Sequence, residues 1–378
     1  MTRTLFVSND PALFDENSSV RARMRTYAAA LGTLHIISQA PRGARPIVEG
    51  SLHLHPIHVP KFFRVRSLAK KARDLIDAEA IQVVSAQDPF EHGVAALRAT
   101  KGTSAKLHVQ VHTDFLSPWF TRSGNWRSPK VRMPFLNRLR VRMADNVLRE
   151  ADGIRVVSER IKASLDKQYG SAIVEPSVIP IGVSADLPPA VPLPTRPFTF
   201  TLIAVGRLEP EKRIEDILAA LALVVPKYPM IGLCIVGEGR ERRALEKMVQ
   251  SLKLENHVRF LGARAEAWGL MQSAQAFIQA SAYEGYGRTL IEAALAKVPI
   301  ITTDVGLVGE VFKGYEDVLA APVADPTELS LSIVSVIENH DLRFNLITHA
   351  ETTAREHLQK VGNTEVRFTD ELKSLATA

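Results

Sequence analysis

Short β-rich runs alternate with helical stretches along most of this chain, and the alternation breaks once, at the segment "SADLPPAVPLPTRP" (184–197). Strands alternating with helices pair in parallel through crossover connections, which restricts the chain to a doubly wound α/β fold. Before the break the runs are "TLFVS" (4–8), "LHIIS" (34–38), 52–59, "IQVVSA" (81–86), "KLHVQVH" (106–112) and "GIRVVS" (153–158), with helices expected over 19–31, 67–78, 89–99 and 131–150. After it come "FTFTLIAVG" (198–206), "IGLCIVG" (231–237), "HVRFLG" (257–262) and "AQAFIQA" (274–280), with helices expected over 211–225 and 240–252. Five prolines in the break suit a stiff connector between domains. A length of 378 residues accommodates two α/β domains, divided here at 190/191.

The longest apolar run, Ile217 to Val225, is far too short to cross a bilayer, and "MTRTLFVSNDPAL" reads as a first strand rather than a leader. The lone cysteine, Cys234, lies inside an apolar run and is read as a buried hydrophobe. Together these features place the protein in the cytoplasm. The net charge of +6 is modest but uneven. Between Trp119 and Arg149, eight arginines and lysines face Asp145 alone, among them Arg132, Arg138 and Arg140, with Trp119, Phe120 and Trp126 interspersed. That block reads either as a solvated helix face or as a surface for an acceptor or an anionic membrane. No nucleic-acid recognition motif accompanies it.

Ligands of open parallel sheets lie beyond the carboxyl ends of the strands. In the second half those loops are "VGRLEPEK", "VGEGRERR", "LGARAE" and "SAYEGYGR", each with glycine after its β run. Gly206, Gly237, Gly262, Gly285 and Gly287 allow close backbone approach, and the helix N-termini that follow suit a phosphate. "VGEGR" lacks the third glycine of a dinucleotide fingerprint, since Arg242 stands there, and no P-loop or metal-ligand spacing occurs. Arg207 and Lys212 form a cation pair suited to a diphosphate, or else an exposed pair matched by Glu209 and Glu211. His112, ending its strand, hydrogen-bonds a sugar or shuttles a proton, or else is merely packed.

"VGRLEPEKRIEDILAAL", "CIVGEGRERRALE", "VRFLGA" and "EGYGRTLIEAALAKVPIITTDVG", in this order over about 150 residues, resemble the nucleotide-sugar domain of family-4 glycosyltransferases. "VHTD" (111–114) and "VIPIGV" (178–183) extend the resemblance into the first half. It implies the GT-B fold: two Rossmann-like domains facing each other across a cleft, 1–190 on the acceptor side and 191–355 for the nucleotide sugar. A last segment, 356–378, is implied to be a helix crossing back to the first domain. It further implies that Arg207 and Lys212 contact the donor diphosphate, that Glu284 faces the sugar, and that Glu292 binds the ribose. The backbone amides of Gly285, Tyr286, Gly287, Arg288 and Thr289 would add phosphate donors, and transfer would retain configuration without a metal or other cofactor.

The chain departs from the family pattern in three places. Asn17, Ser18 and Ser19 stand where a glycine pair is common, Arg288 replaces an apolar residue, and Lys297 replaces a helix-ending glycine. Arg288 is read as a phosphate or acceptor contact, and Lys297 as local structural variation. The expected activity is transfer from a nucleoside-diphosphate sugar, UDP-linked before GDP-mannose, to a glycan or lipid-linked acceptor. The rival readings are a sugar-nucleotide epimerase, a phosphorylase, or a binding module without catalysis.

Overall fold

The computed structural model describes residues 2–41, 43–121, 134–193 and 198–378, without the side chains of Lys61 and Pro134. The chain divides into two compact units. The first runs through Leu116, resumes over Phe135–Gly182 and ends with Asn363–Ala378. The second holds the described part of Val183–Gly362 and the short helix Pro118–Thr121.

The first unit contains β1 (Thr2–Ser8), β2 (Gly32–Gln39), β3 (Ile47–Glu49), β4 (Leu52–Ile57), β5 (Val83–Ala86), β6 (Lys106–Val111), β7 (Gly153–Val156) and β8 (Ser177–Val178). They form one sheet in the order β3-β4-β2-β1-β5-β6-β7-β8, parallel except for β3. The connection direction reverses between β1 and β5, which leaves a crevice beyond their carboxyl ends. Ser18 caps the helix Ser19–Leu31 by accepting from the Arg21 amide at 3.1 Å, and donates its own hydroxyl to Asp15 O. The helix Thr364–Thr377, capped by Asn363, lays Phe368 and Leu372 on the same sheet, where Phe6, Tyr27 and Phe368 pack ring to ring at 5.5–6.4 Å. Burying an aromatic side chain of that size stabilises by roughly 2–3 kcal/mol, which anchors this last helix.

The second unit contains β9 (Phe200–Val205), β10 (Ile231–Val236), β11 (Val258–Gly262), β12 (Ala276–Ile278), β13 (Ile300–Thr303) and β14 (Leu319–Ala321). All pair in parallel, in the order β11-β10-β9-β12-β13-β14. Every residue of β10 is buried, Cys234 included, because helices cover both faces of such a sheet. Burial pushes the Cys234 thiol up to about 11, so it packs as a hydrophobe. The reversal point here lies between β9 and β12.

Several expectations shift for identifiable reasons. Of the segment 178–183 only Val178 is strand, because the carbonyls of Ile179 and Pro180 accept from the buried Arg155 guanidinium, at 2.9 and 3.0 Å, instead of a strand partner. The helix expected over 211–225 is a single 3₁₀ turn, Pro210–Lys212, then a left-handed Arg213, then a helix over Ile214–Val224. The final helix expected over 356–378 is two helices, His340–Val361 and Thr364–Thr377, separated at Gly362. Lys297 has φ +59°, a backbone that glycine adopts more easily, and its ammonium pairs with Glu351 at 3.0 Å. The described part of the proline-bearing segment docks on the second unit, with the Val191 amide donating to Gly269 O at 2.9 Å and Gln272 donating to Pro188 O at 2.7 Å.

Candidate active site

At the reversal point of the second sheet, β9 delivers Gly206 and Arg207, and β12 delivers Gln279, Ser281 and Glu284. The loops close on one another through backbone. A Cβ at Gly237 would run into the Gly206 carbonyl oxygen, so glycine there is required by the neighbouring loop. The Ala282 amide donates to Glu211 O at 2.7 Å, and Thr303 Oγ1 donates to Ser281 O at 2.6 Å. These bonds hold the turn of Lys212 against the loop of Glu284.

Lys212 Nζ and Ser281 Oγ both donate to the same oxygen of Glu284, Oε1, the serine at 2.7 Å. Lys212 and Glu284 side chains are only 18% and 13% exposed, so their attraction is weakly screened. Glu284 Oε2 takes no hydrogen bond among the described residues. The result is a fixed carboxylate with one committed and one available oxygen, beside a cation.

Beyond it Gly287, at φ +84°, starts the helix Arg288–Leu295, whose first amides face the same loop. Thr289 Oγ1 donates to Gln279 Oε1 at 2.9 Å, while Gln279 Nε2 is buried without a partner. Glu292 is 13% exposed and pairs with Arg288 at 2.8 Å. Burial holds its carboxyl above the usual range, against the opposing pull of Arg288. Arg288, 52% exposed, is thus paired with Glu292 one helical turn away. The Tyr286 side chain is buried, its hydroxyl 2.8 Å from His357 Nε2, so only its backbone lies at the turn.

Arg207 is 73% exposed and pairs with Glu211 at 2.9 Å, the alternative weighed for it, while Lys212 turns to Glu284 instead. Gly262 ends β11, its carbonyl accepting from the Gly237 amide at 2.7 Å. Two contacts escaped the sequence: Trp119 lies 5.7 Å from the Arg213 guanidinium, and Phe120 meets Tyr283 edge-on at 5.5 Å. Arg213 is buried and grips Asp216 through two hydrogen bonds of 2.5 and 3.0 Å. A segment far upstream in sequence therefore touches the neighbours of both Lys212 and Glu284, so Trp119 is a packed ring and not a free acceptor or membrane contact. No local pattern announces such a pairing.

The first unit holds the other residues singled out. His112 is half-buried, with Nε2 3.1 Å from Gln110 Oε1, and burial lowers its pKa to about 3, so the ring is neutral near pH 7. Asn17 and Ser19 are exposed, and Ser18 spends its hydroxyl on the helix cap. Arg140 pairs with Glu91 at 2.9 Å and lies over the Phe90 ring, which removes it from the free basic surface; Arg138 is exposed, and Arg132 lies outside the described residues. Among the described residues no group of three or more His, Cys, Asp or Glu is placed to hold a metal, and no helix is long and apolar enough to cross a membrane. A cavity of about 480 Å³ opens at the other ends of β9 and β13, but its Gln275 and Arg343 already bond to backbone.

Two family models match the chain: Glycosyltransferase Family 4 over residues 19–187, and Glycosyl transferases group 1 over 194–353. Glycogen synthase of Mycobacterium tuberculosis is 31% identical over 51% of this chain and 47% of its own length. Alpha-monoglucosyldiacylglycerol synthase of Acholeplasma laidlawii is 28% identical over 43% and 41%. The matches thus span about half or less of these relatives. Among solved structures, sucrose-phosphate synthase of Thermosynechococcus elongatus superposes with a TM-score of 0.79 at 16% identity over 99% of both chains. HepE of Anabaena, in complex with UDP and glucose, gives 0.74 at 19%, over 99% of this chain and 100% of that one. Because the two models together take in nearly all of both units, and the fold is that of solved GT-B enzymes, the chain belongs to the family-4 glycosyltransferases.

Proposed function

We propose that this protein transfers a sugar from a nucleoside-diphosphate sugar, a UDP-sugar before GDP-mannose, to a glycan or lipid-linked acceptor, with retention of configuration and without a bound metal. The observation that carries the reading is the Lys212–Ser281–Glu284 cluster at the reversal point of the second sheet. Lys212 and the amides from Gly285 to Thr289 neutralise the departing diphosphate, which is the role a metal fills elsewhere. Arg207 joins them by leaving Glu211, an exposed ion pair worth about 1 kcal/mol or less. Glu284 Oε2 faces the positive charge that develops at the anomeric carbon, and Glu292 accepts from the ribose hydroxyls once Arg288 shares its carboxylate.

UDP in the HepE complex supports a uridine donor, and the diacylglycerol-lipid product named for the Acholeplasma relative supports a lipid acceptor. A panel of UDP-, GDP- and ADP-sugars should raise the melting temperature with one base preferred, since a ligand that binds the native state stabilises it. No shift with any of them would count against the whole reading. Labelled donor then separates the rivals: transfer gives a labelled acceptor and free nucleoside diphosphate, an epimerase returns an intact nucleotide sugar, and a binding module returns the donor unchanged. Turnover should persist in EDTA.

A further inference from the structure

Three phenylalanines of the first unit stand out in water: Phe62 is 98% exposed, Phe63 62% and Phe135 78%. Phe62 and Phe63 form the turn that leads into the helix Arg64–Glu79, and Phe135 opens the helix Pro134–Arg149. Both helices run back from the carboxyl ends of parallel strands, so their first turns point to the same end of the unit. They lie in one layer. Arg64–Glu79 packs along the helix Glu91–Thr100, which in turn meets Pro134–Arg149 through Gly93 against Val147 and Glu91 with Arg140.

The unpaired charges that these two helices carry near the rings share one sign. Arg64, Arg66 and Lys71 on the first helix, and Arg138 and Arg142 on the second, have no acidic partner among the described residues. The acids Asp74 and Asp77 sit further along the first helix, tied to Lys70 and Arg73. Exposed aromatic rings, each costly to leave in water, surrounded by unpaired cations match a surface that is negative outside and apolar just beneath.

We infer that this end of the first unit docks on an anionic lipid membrane, with Phe62, Phe63 and Phe135 entering the headgroup boundary and Arg64, Arg66, Arg138 and Arg142 bound to lipid phosphates. The inference sharpens the lipid-acceptor part of the proposed function and moves the contact away from Trp119 and Arg140, which are engaged in packing.

Its test uses the full chain and no sugar nucleotide, so its failure is distinct from failure of the transferase reading. The protein is floated with vesicles of phosphatidylglycerol and phosphatidylcholine, and with phosphatidylcholine alone. Wild type should bind the anionic vesicles more tightly, and more weakly as salt rises. The double substitution F62S/F63S should lower partitioning about tenfold or more, and R66Q/R138Q/R142Q should flatten the salt dependence. Melting temperature and donor-induced stabilisation should stay at wild-type values, since all these side chains lie at the surface. F62W should bind as wild type, with an emission that moves to the blue on anionic vesicles and is quenched by brominated lipid. Unchanged partitioning of F62S/F63S, a silent F62W, or loss of a self-associated form in its place would each overturn the inference.

Discussion

In the first unit burial depresses several bases around the sheet. Burial holds His35 and His55 at about 4 and His112 at about 3, and Arg155 keeps its charge by donating to Ile179 O, Pro180 O and Gln110 Oε1. In the second unit burial acts on acids, raising Glu215 to about 7 and lifting Glu292 as well, beside the buried Arg213–Asp216 pair. The two sheets share a layout, yet the first consumes its cation's donors internally, while the second leaves Lys212 with a single carboxylate at the rim. A cation beyond a strand is therefore informative only when its partners are counted, and that count favours the second unit as the seat of donor chemistry.

The sharpest way to break this contrast is Glu284→Gln. It should cut kcat by about 10²–10³-fold with the melting temperature nearly unchanged, because a charge aimed at the reacting centre is lost and little packing changes. His112→Asn should leave kcat far closer to wild type, and an equal loss in both variants would erase the distinction between the units.

Acid and base should then separate the units by sign. His112, depressed from 6.5 to about 3, contributes stability that is complete above pH 6.5 and is lost as pH falls towards 3. Glu215, raised from 4.5 to about 7, contributes stability that is complete below pH 4.5 and is lost as pH rises through 7. Between these limits the slopes oppose, each at most about 1.4 kcal/mol per pH unit. Hydrogen exchange followed unit by unit should show protection rising with pH in the first and falling in the second, with Glu215→Gln flattening the latter. Slopes of the same sign would refute the contrast.

Lys212→Met should weaken donor binding about tenfold or more in a calorimetric titration, as the charge-assisted contact to the diphosphate disappears. Glu292→Gln should act on donor affinity in the same direction, with less effect on kcat than Glu284→Gln; the reverse pattern would exchange the roles of the two glutamates. The smallest effect belongs to Trp119→Ala. Loss of the ring against Arg213 should lower kcat about threefold, in line with a cation–π contact of about 0.5–1 kcal/mol, and Trp119→Phe should restore most of it. A loss of stability with kcat unchanged would make Trp119 packing only.

Much of this arrangement was legible in the sequence because it is local. Alternating β and helical runs implied parallel crossovers, Ser18 and Asn363 cap their helices as such residues do, and glycines fell at the strand ends. The strands β3 and β14, three residues each, gave too little periodicity to be seen. Left-handed Arg213 broke an otherwise helical pattern that propensity reads as continuous.

By itself the sequence determined two doubly wound sheets and the eight-residue spacing from Glu284 to Glu292, since backbone periodicity and turn chemistry depend on neighbours along the chain. Only the tertiary structure decided that Lys212 turns to Glu284 and not to Glu211, that Arg288 occupies Glu292, that His112 is neutral, and that Trp119 reaches Arg213. Each of those outcomes depends on which groups from distant segments share a low-dielectric space, and the order of residues along a chain does not state that.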